Sequence, residues 1–261
     1  MRRLLTFGCE GARLGASLDE AGATGILMVT GGTQTRVGSH RMYERLADAL
    51  AGAGHGVLRF DRRGVGDSEG EDPGFRGSGP DIVAAAAAFR ADAPVTRLIG
   101  FGLCDGATAL ALFAGEAALD GVILVNPWLV EAEAGAPAAA AVRAHYRRRL
   151  LSLEGWKKLA TGSISWRKLL GGLRKSADTA ASPLAAEAAA ALRASGVRAE
   201  LILAAGDATA IAAERELKSR IFKGIVGKAQ RIPSDSHTFA RPGDPDLLLA
   251  ATLAAIRRLG G

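Results

Sequence analysis

Aromatic residues are scarce, 5% of 261 residues, and cysteine is scarcer still, with Cys9 and Cys104 alone. Two thiols cannot by themselves build a disulfide framework or a four-ligand zinc site. No His/Cys/Asp cluster with ligand spacing points to another metal, so neither metal nor cofactor is expected. Long apolar runs are missing too, none approaching the roughly 18 residues of a membrane span. The opening Met-Arg-Arg-Leu-Leu-Thr-Phe-Gly-Cys-Glu begins like a secretory leader, but its apolar stretch is only about five residues long, too short for that role. A lipoprotein use of Cys9 would want Leu where Thr6 stands. The expectation is a cytoplasmic chain with reduced thiols. Glycine and alanine are plentiful, together roughly a third of the chain, yet no Gly-X-Y period occurs and collagen is excluded. With 48% hydrophobic and 23% charged residues, this is a globular chain, one large domain or one domain carrying an insertion.

The net charge of +6 is unevenly placed. Positions 143–175 hold ten Lys/Arg (Arg143, Arg147, Arg148, Arg149, Lys157, Lys158, Arg167, Lys168, Arg174, Lys175) against one acid, Glu154. That interval is +9 and the remainder −3. Charge gathered in one interval argues against a nucleic-acid binder, whose cations would line a face.

Short apolar runs alternate with helical patterns, which predicts an α/β fold with a mainly parallel sheet. Strands are expected over 25–30, 56–61, 97–101, 121–125, 199–205 and 228–232. Helices are expected over 40–53, 81–90, 105–115, 210–222 and 246–259. Residues 3–7 and 13–18 read as an antiparallel pair at the sheet edge. From Trp128 to Ala181 the alternation stops and only helical stretches with Gly breaks remain. All three tryptophans and the basic excess lie there, and a helical cap over 128–181 is expected, inserted into a core of 1–127 and 182–261. A long helical crossover is the plainer alternative. Ser182-Pro183 has the cap-and-proline form that restarts a helix.

Chemistry concentrates at Leu98-Ile99-Gly100-Phe101-Gly102-Leu103-Cys104-Asp105-Gly106-Ala107. A strand runs through Gly-x-Cys-x-Gly straight into a helix, the pattern of a nucleophile elbow with cysteine in the serine position. Such a turn is too sharp for a Cβ at either flank, and it sets the sulfur over a helix N-terminus that favours the thiolate. The competing reading is a buried structural cysteine. The elbow order expects an acid and then a histidine downstream. His237, after the last strand, fits the base, with His40 as competitor; His55 reads as structural and His145 as solvated. Asp207, closing Leu201–Gly206, fits the orienting acid, with Asp235 as fallback. Two backbone donors are needed for an oxyanion. The Asp105 amide supplies one, and the loop Thr30-Gly31-Gly32-Thr33-Gln34 the other, through Thr33 or Gln34. The Asp105 carboxylate would disfavour a thiolate unless it points away. The turn Asp61-Arg62-Arg63-Gly64-Val65-Gly66-Asp67-Ser68 lacks dinucleotide spacing, and no Gly-Lys-Ser/Thr is present, so nucleotide binding is rejected.

These residues resemble the α/β-hydrolase superfamily over nearly the whole chain. More narrowly, Gly31-Gly32-Thr33-Gln34-Thr35-Arg36-Val37-Gly38-Ser39-His40-Arg41 with the Gly-x-Cys-Asp elbow resembles the exosortase A system-associated hydrolase 1 family. That resemblance implies a setting beside exopolysaccharide and protein-sorting genes. The cysteine is also similar to that of dienelactone hydrolases, which lack a cap of this size.

The leading expectation is a cysteine-dependent hydrolase or acyltransferase acting on a small ester or thioester. Gln34, Arg36, His40, Trp128, Trp156 and Trp166 are candidate substrate contacts, and the basic interval favours an anionic acyl donor. A second expectation is a binding protein that keeps the fold without turnover. A third treats the basic interval as a membrane or nucleic-acid patch, against the ordinary alternative of a solvated helix face.

Overall fold

The apolar runs form the centre of one sheet whose inner strands are buried on both faces. The structure, a computed structural model, describes residues 2–130 and 181–260. Its strands are β1 (Arg2–Cys9), β2 (Ala12–Asp19), β3 (Thr24–Val29), β4 (Gly56–Phe60), β5 (Arg97–Leu103), β6 (Gly121–Val125), β7 (Arg198–Ala204) and β8 (Gln230–Ile232). They lie in the order β1-β2-β4-β3-β5-β6-β7-β8. The expected edge hairpin is present: β1 pairs antiparallel with β2, and β2 antiparallel with β4. All remaining pairs are parallel. The helices are α1 (Met42–Gly52), α2 (Gly74–Gly77), α3 (Gly79–Asp92), α4 (Asp105–Phe113), α5 (Pro183–Ser195), α6 (Ala208–Leu217) and α7 (Asp244–Gly260).

Successive strand residues go to opposite faces, so continuous apolar runs supply two cores at once. Ile26, Met28, Ile99, Phe101 and Ile123 pack under Leu46 and Leu50 of α1 and Leu248 and Ile256 of α7. Leu27, Val29, Leu58, Leu98 and Leu124 meet Ile82 and Phe89 of α3, Leu110 of α4 and Leu192 of α5. Each fully buried side chain of this kind contributes about 1.5–3 kcal/mol relative to exposure.

Three elements differ from expectation. The helix expected from residue 40 begins at Met42, because His40 and Arg41 take φ of 43° and 65° around a short 3₁₀ turn. The helix expected to reach 222 stops at Leu217; Ser219 is extended and Arg220–Phe222 forms a separate 3₁₀ turn. Helix α2, one turn among Gly and Pro, carries no apolar period and was unexpected.

The strand order places the functional edge. From β3 the chain crosses to β4 on one side and then to β5 on the other. Helices α1 and α4, which follow β3 and β5, belong to opposite layers. Loops that part in this way leave a crevice at the carboxyl ends of the strands. The expected cap lies outside the described residues, Trp156 and Trp166 included, except for its two ends. Those ends meet, for Ser182 Oγ donates to the Leu129 carbonyl. Ser182 Oγ also accepts from the Ala185 amide at 3.1 Å, the expected cap of α5, with Pro183 in its first turn.

Candidate active site

The turn after β5 is tight enough to dictate its glycines. A Cβ on Gly102 would lie 2.7 Å from the Gly106 carbonyl carbon, and one on Gly106 would lie 2.6 Å from the Val29 oxygen. Between them Cys104 adopts φ 60°, ψ −127°, a conformation that costs a non-glycine residue about 1–3 kcal/mol. Hydrogen bonds hold it there. The Cys104 amide donates to Val125 O at 3.0 Å, and its carbonyl accepts from Ala107 (3.1 Å) and Trp128 (3.1 Å). The thiol is partly exposed, at the N-terminus of α4.

Asp207 follows β7 and is 7% exposed. One carboxylate oxygen, Oδ2, accepts from the Ala210 amide at 2.9 Å, capping α6, and lies 3.1 Å from His237 Nδ1. The Asp207 turn and the His237 loop fit together closely. Gly206 donates to Ser234 O at 2.8 Å, and a Cβ on Gly206 would come within 2.7 Å of Asp235 Cβ. Hydrogen bonding to Asp207, and then to Cys104, raises the His237 imidazole pKa to about 10 against the opposing effect of burial. Both bonds favour the protonated form of the imidazole. The structure thus brings Cys104, His237 and Asp207 together. Asp235 stands apart, its carboxylate paired with Arg241 at 2.5 Å.

The loop after β3 closes over the elbow. A Cβ on Gly31 would overlap Asp105 Oδ1 and come within 2.7 Å of Leu103 O. The Gly32 amide donates to Asp105 Oδ1 at 2.7 Å, so this carboxylate is engaged with the loop. Among the described residues, neither the Thr33 amide nor the Asp105 amide has a hydrogen-bond partner.

The other expected contacts are distributed differently. Gln34 is turned into its own loop, its Oε1 accepting from the Ser39 amide at 3.2 Å. Arg36 is engaged within the fold. Its Nε donates to Ser17 at 3.1 Å, Nη1 to Asp61 and Nη2 to Asp67 at 2.6 Å, so its charge is neutralised within the fold. His40 Nε2 meets Thr238 O at 3.0 Å and Thr238 Oγ1 at 3.1 Å, which ties the Gly-rich loop to the His237 loop. Trp128, 37% exposed, sits beside the elbow, its backbone amide donating a hydrogen bond to Cys104 O. His55 is half-buried, its Nδ1 has no partner among the described residues, and burial lowers its pKa.

Two positioning side chains escaped sequence reasoning. Tyr43 is fully buried; its hydroxyl donates to Val29 O at 3.0 Å and accepts from the Leu103 amide at 3.1 Å, joining β3 to β5 just before both site loops. Asn126, at φ 42° and fully buried, accepts from the Ala204 amide at 2.8 Å and donates to His237 O at 3.0 Å. The Asn126-Pro127 pair after a strand was a usable turn signal, whereas nothing local marks Tyr43.

Among the described residues no group of His, Cys, Asp and Glu could hold a metal ion, and no helix is long and apolar enough to cross a membrane. The family model described as Hydrolase_4, serine aminopeptidase S33, matches residues 25–219. No curated protein matches the chain. Esterase Pf2001 of Pyrococcus furiosus is 14% identical, covers 100% of this chain and 94% of its own, and superposes with a TM-score of 0.68. Est1E of Butyrivibrio proteoclasticus, solved with ferulic acid bound, is 16% identical with coverage of 98% and 100% and a TM-score of 0.65. XC6422 of Xanthomonas campestris, described as an α/β serine hydrolase without lid, is 18% identical with coverage of 98% and 94% and a TM-score of 0.62. The fold is the α/β-hydrolase fold.

Proposed function

The chain belongs to the serine aminopeptidase S33 family of α/β hydrolases, and we propose that within it this protein is a cysteine-nucleophile hydrolase of esters or thioesters, working through an acyl-enzyme. The observation that carries the reading is the contiguous set of a partly exposed Cys104 on a strained elbow and a His237 hydrogen-bonded to buried Asp207. Among the described residues, the serines of the His237 loop are engaged elsewhere. The elbow holds Cys104, while Ser234 Oγ donates to Asp244 and Ser236 Oγ accepts from the Ala240 amide.

In this reading the Cys104 thiolate adds to the substrate carbonyl carbon, and the negative charge moves to the carbonyl oxygen, facing the Thr33 and Asp105 amides. His237 then gives its proton to the leaving alkoxide or thiolate as the carbon–heteroatom bond breaks, which leaves a thioester on Cys104. Water attacks that thioester with His237 taking its proton, and Cys104 is released. Asp207 holds Nδ1–H, so Nε2 is the nitrogen that exchanges protons with sulfur and leaving group. An acceptor hydroxyl in place of water turns hydrolysis into acyl transfer. The likeness of the Gly31–Arg41 loop to exosortase A system-associated hydrolases favours an exopolysaccharide setting for either outcome. The +9 charge over 143–175 and the adjoining ends of that insertion support a cap that selects an anionic acyl donor.

The test is a mass measurement. Incubation with a panel of activated esters and acyl thioesters, followed by rapid quenching, should leave an acyl adduct on Cys104 of the wild type and on nothing else. Absence of an adduct across the panel would leave a binding protein of this fold.

A further inference from the structure

Arg62 heads the fully buried side chains by size, at 2% exposure. It follows β4, and its neighbour Arg63 is well partnered by Asp81, Glu10 and the Gly77 carbonyl. Arg62 is not. Its Nη2 donates to the Gly32 carbonyl oxygen, and Asp72 lies 3.8 Å from it, beyond hydrogen-bond reach. Nε and Nη1 have no partner among the described residues. A guanidinium kept in this condition is costly, and each buried unsatisfied group calls for a reason.

The reason lies in what its one strong bond does to Gly32. The chain has no cis peptide bond among the described residues, so the C=O of Gly32 and the N–H of Thr33 point in opposite directions from one rigid plane. Arg62 draws the oxygen inward, which turns the Thr33 N–H outward. The preceding peptide is fixed as well, since the Gly32 amide donates to Asp105 Oδ1 at 2.7 Å. Gly32, at φ 57°, is thereby held at both ends. A cation on the carbonyl also polarises the peptide and strengthens its N–H as a donor.

We infer that Arg62 is the positioning residue of the oxyanion loop: through the Gly32–Thr33 peptide it aims and strengthens the amide that receives the charge formed when Cys104 adds to a carbonyl. The inference rests on the acyl-enzyme reading above, and its test keeps the two separable.

Two reactions of the same thiol are compared in wild type, R62M and R62K. Acylation by p-nitrophenyl acetate develops an oxyanion. Alkylation by iodoacetamide does not, because sulfur displaces iodide at a saturated carbon. In R62M the ratio of acylation to alkylation rates should fall roughly 10- to 100-fold, less than outright removal of an oxyanion donor, with kcat rather than KM carrying the loss. R62K, which keeps the charge without the guanidinium fork, should recover part of it. An unchanged ratio overturns the inference, and so does an equal loss in both rates, which would mark a general loosening. If R62M does not fold, R62K decides by the same ratio. If neither folds, Arg62 serves folding and the inference is wrong. A wild type that alkylates but is never acylated would instead remove the acyl-enzyme reading itself.

Discussion

Replacing Asp207 by asparagine and by alanine separates two tasks carried by one oxygen. Oδ2 caps α6 through the Ala210 amide at 2.9 Å and orients His237 through Nδ1 at 3.1 Å. Asparagine caps a helix about as well as aspartate, whereas alanine loses about 1 kcal/mol. Both variants lose the ion pair with His237, so the cap shows in the difference between them: D207A should melt roughly 0.5–2 kcal/mol below D207N. Both remove the charge beside the imidazole. The His237 pKa, about 10 against 6.5 for an ordinary histidine, is held up by Asp207 first and Cys104 second. The His237 titration, followed by NMR of its ring protons, should fall most of the way toward 6.5 in both variants. Acylation by a chromogenic ester should slow by roughly 10²- to 10⁴-fold in both, since the imidazole loses its tautomer and its counter-charge together. If D207N acylates at the wild-type rate with an unshifted His237, Asp207 is a helix cap and the orienting role is wrong. If D207A alone is slow, the deficit comes from α6 and not from the histidine.

Further outcomes follow from the same geometry. Limited iodoacetamide treatment and peptide mapping should find Cys104 modified and Cys9 spared. Cys9 is 6% exposed, and burial, helped by its hydrogen bond to Asp81, pushes its thiol up to about 11; equal labelling would contradict this. The raised His237 pKa means that its stabilisation is complete below pH 6.5 and is lost as the pH climbs through about 10. Wild type should thus exceed His237→Gln in Tm by more at pH 6 than at pH 10.5, and a gap that widens with pH would reverse the sign of the argument. His40→Ala should keep Cys104 acylation but slow it by up to about tenfold, the value of one or two exposed hydrogen bonds to Thr238. Complete loss in His40→Ala with normal acylation in His237→Ala would transfer the base to His40.

Much of this architecture was legible because its causes are local. Strands buried on both faces must be continuously apolar, so Gly121–Val125 and its parallel neighbours could be read directly. The elbow was legible for the same kind of reason, since Gly102 and Gly106 are demanded by backbone contacts within a few residues and with the adjacent strand. Chain order alone pointed to Asp207 and His237, which the strand ends bring within 3.1 Å. Ser182-Pro183 announced the start of α5 through a cap completed three residues on.

What only the tertiary structure decided are contacts made across long stretches of chain. Arg36 meets Asp61 and Asp67, both of which come from the turn after β4. Tyr43 bonds Leu103 across 60 positions, and Asn126 bonds His237 across 111. Arg62, thirty residues from Gly32, looked like one more charge in a Gly-rich turn. A sequence states which residues can be buried and where the backbone must bend, because those follow from side-chain volume, polarity and the missing Cβ of glycine. Which donor meets which acceptor depends on strand order and on the crossing of loops at the sheet edge, and those arise only when the two cores close on the same sheet.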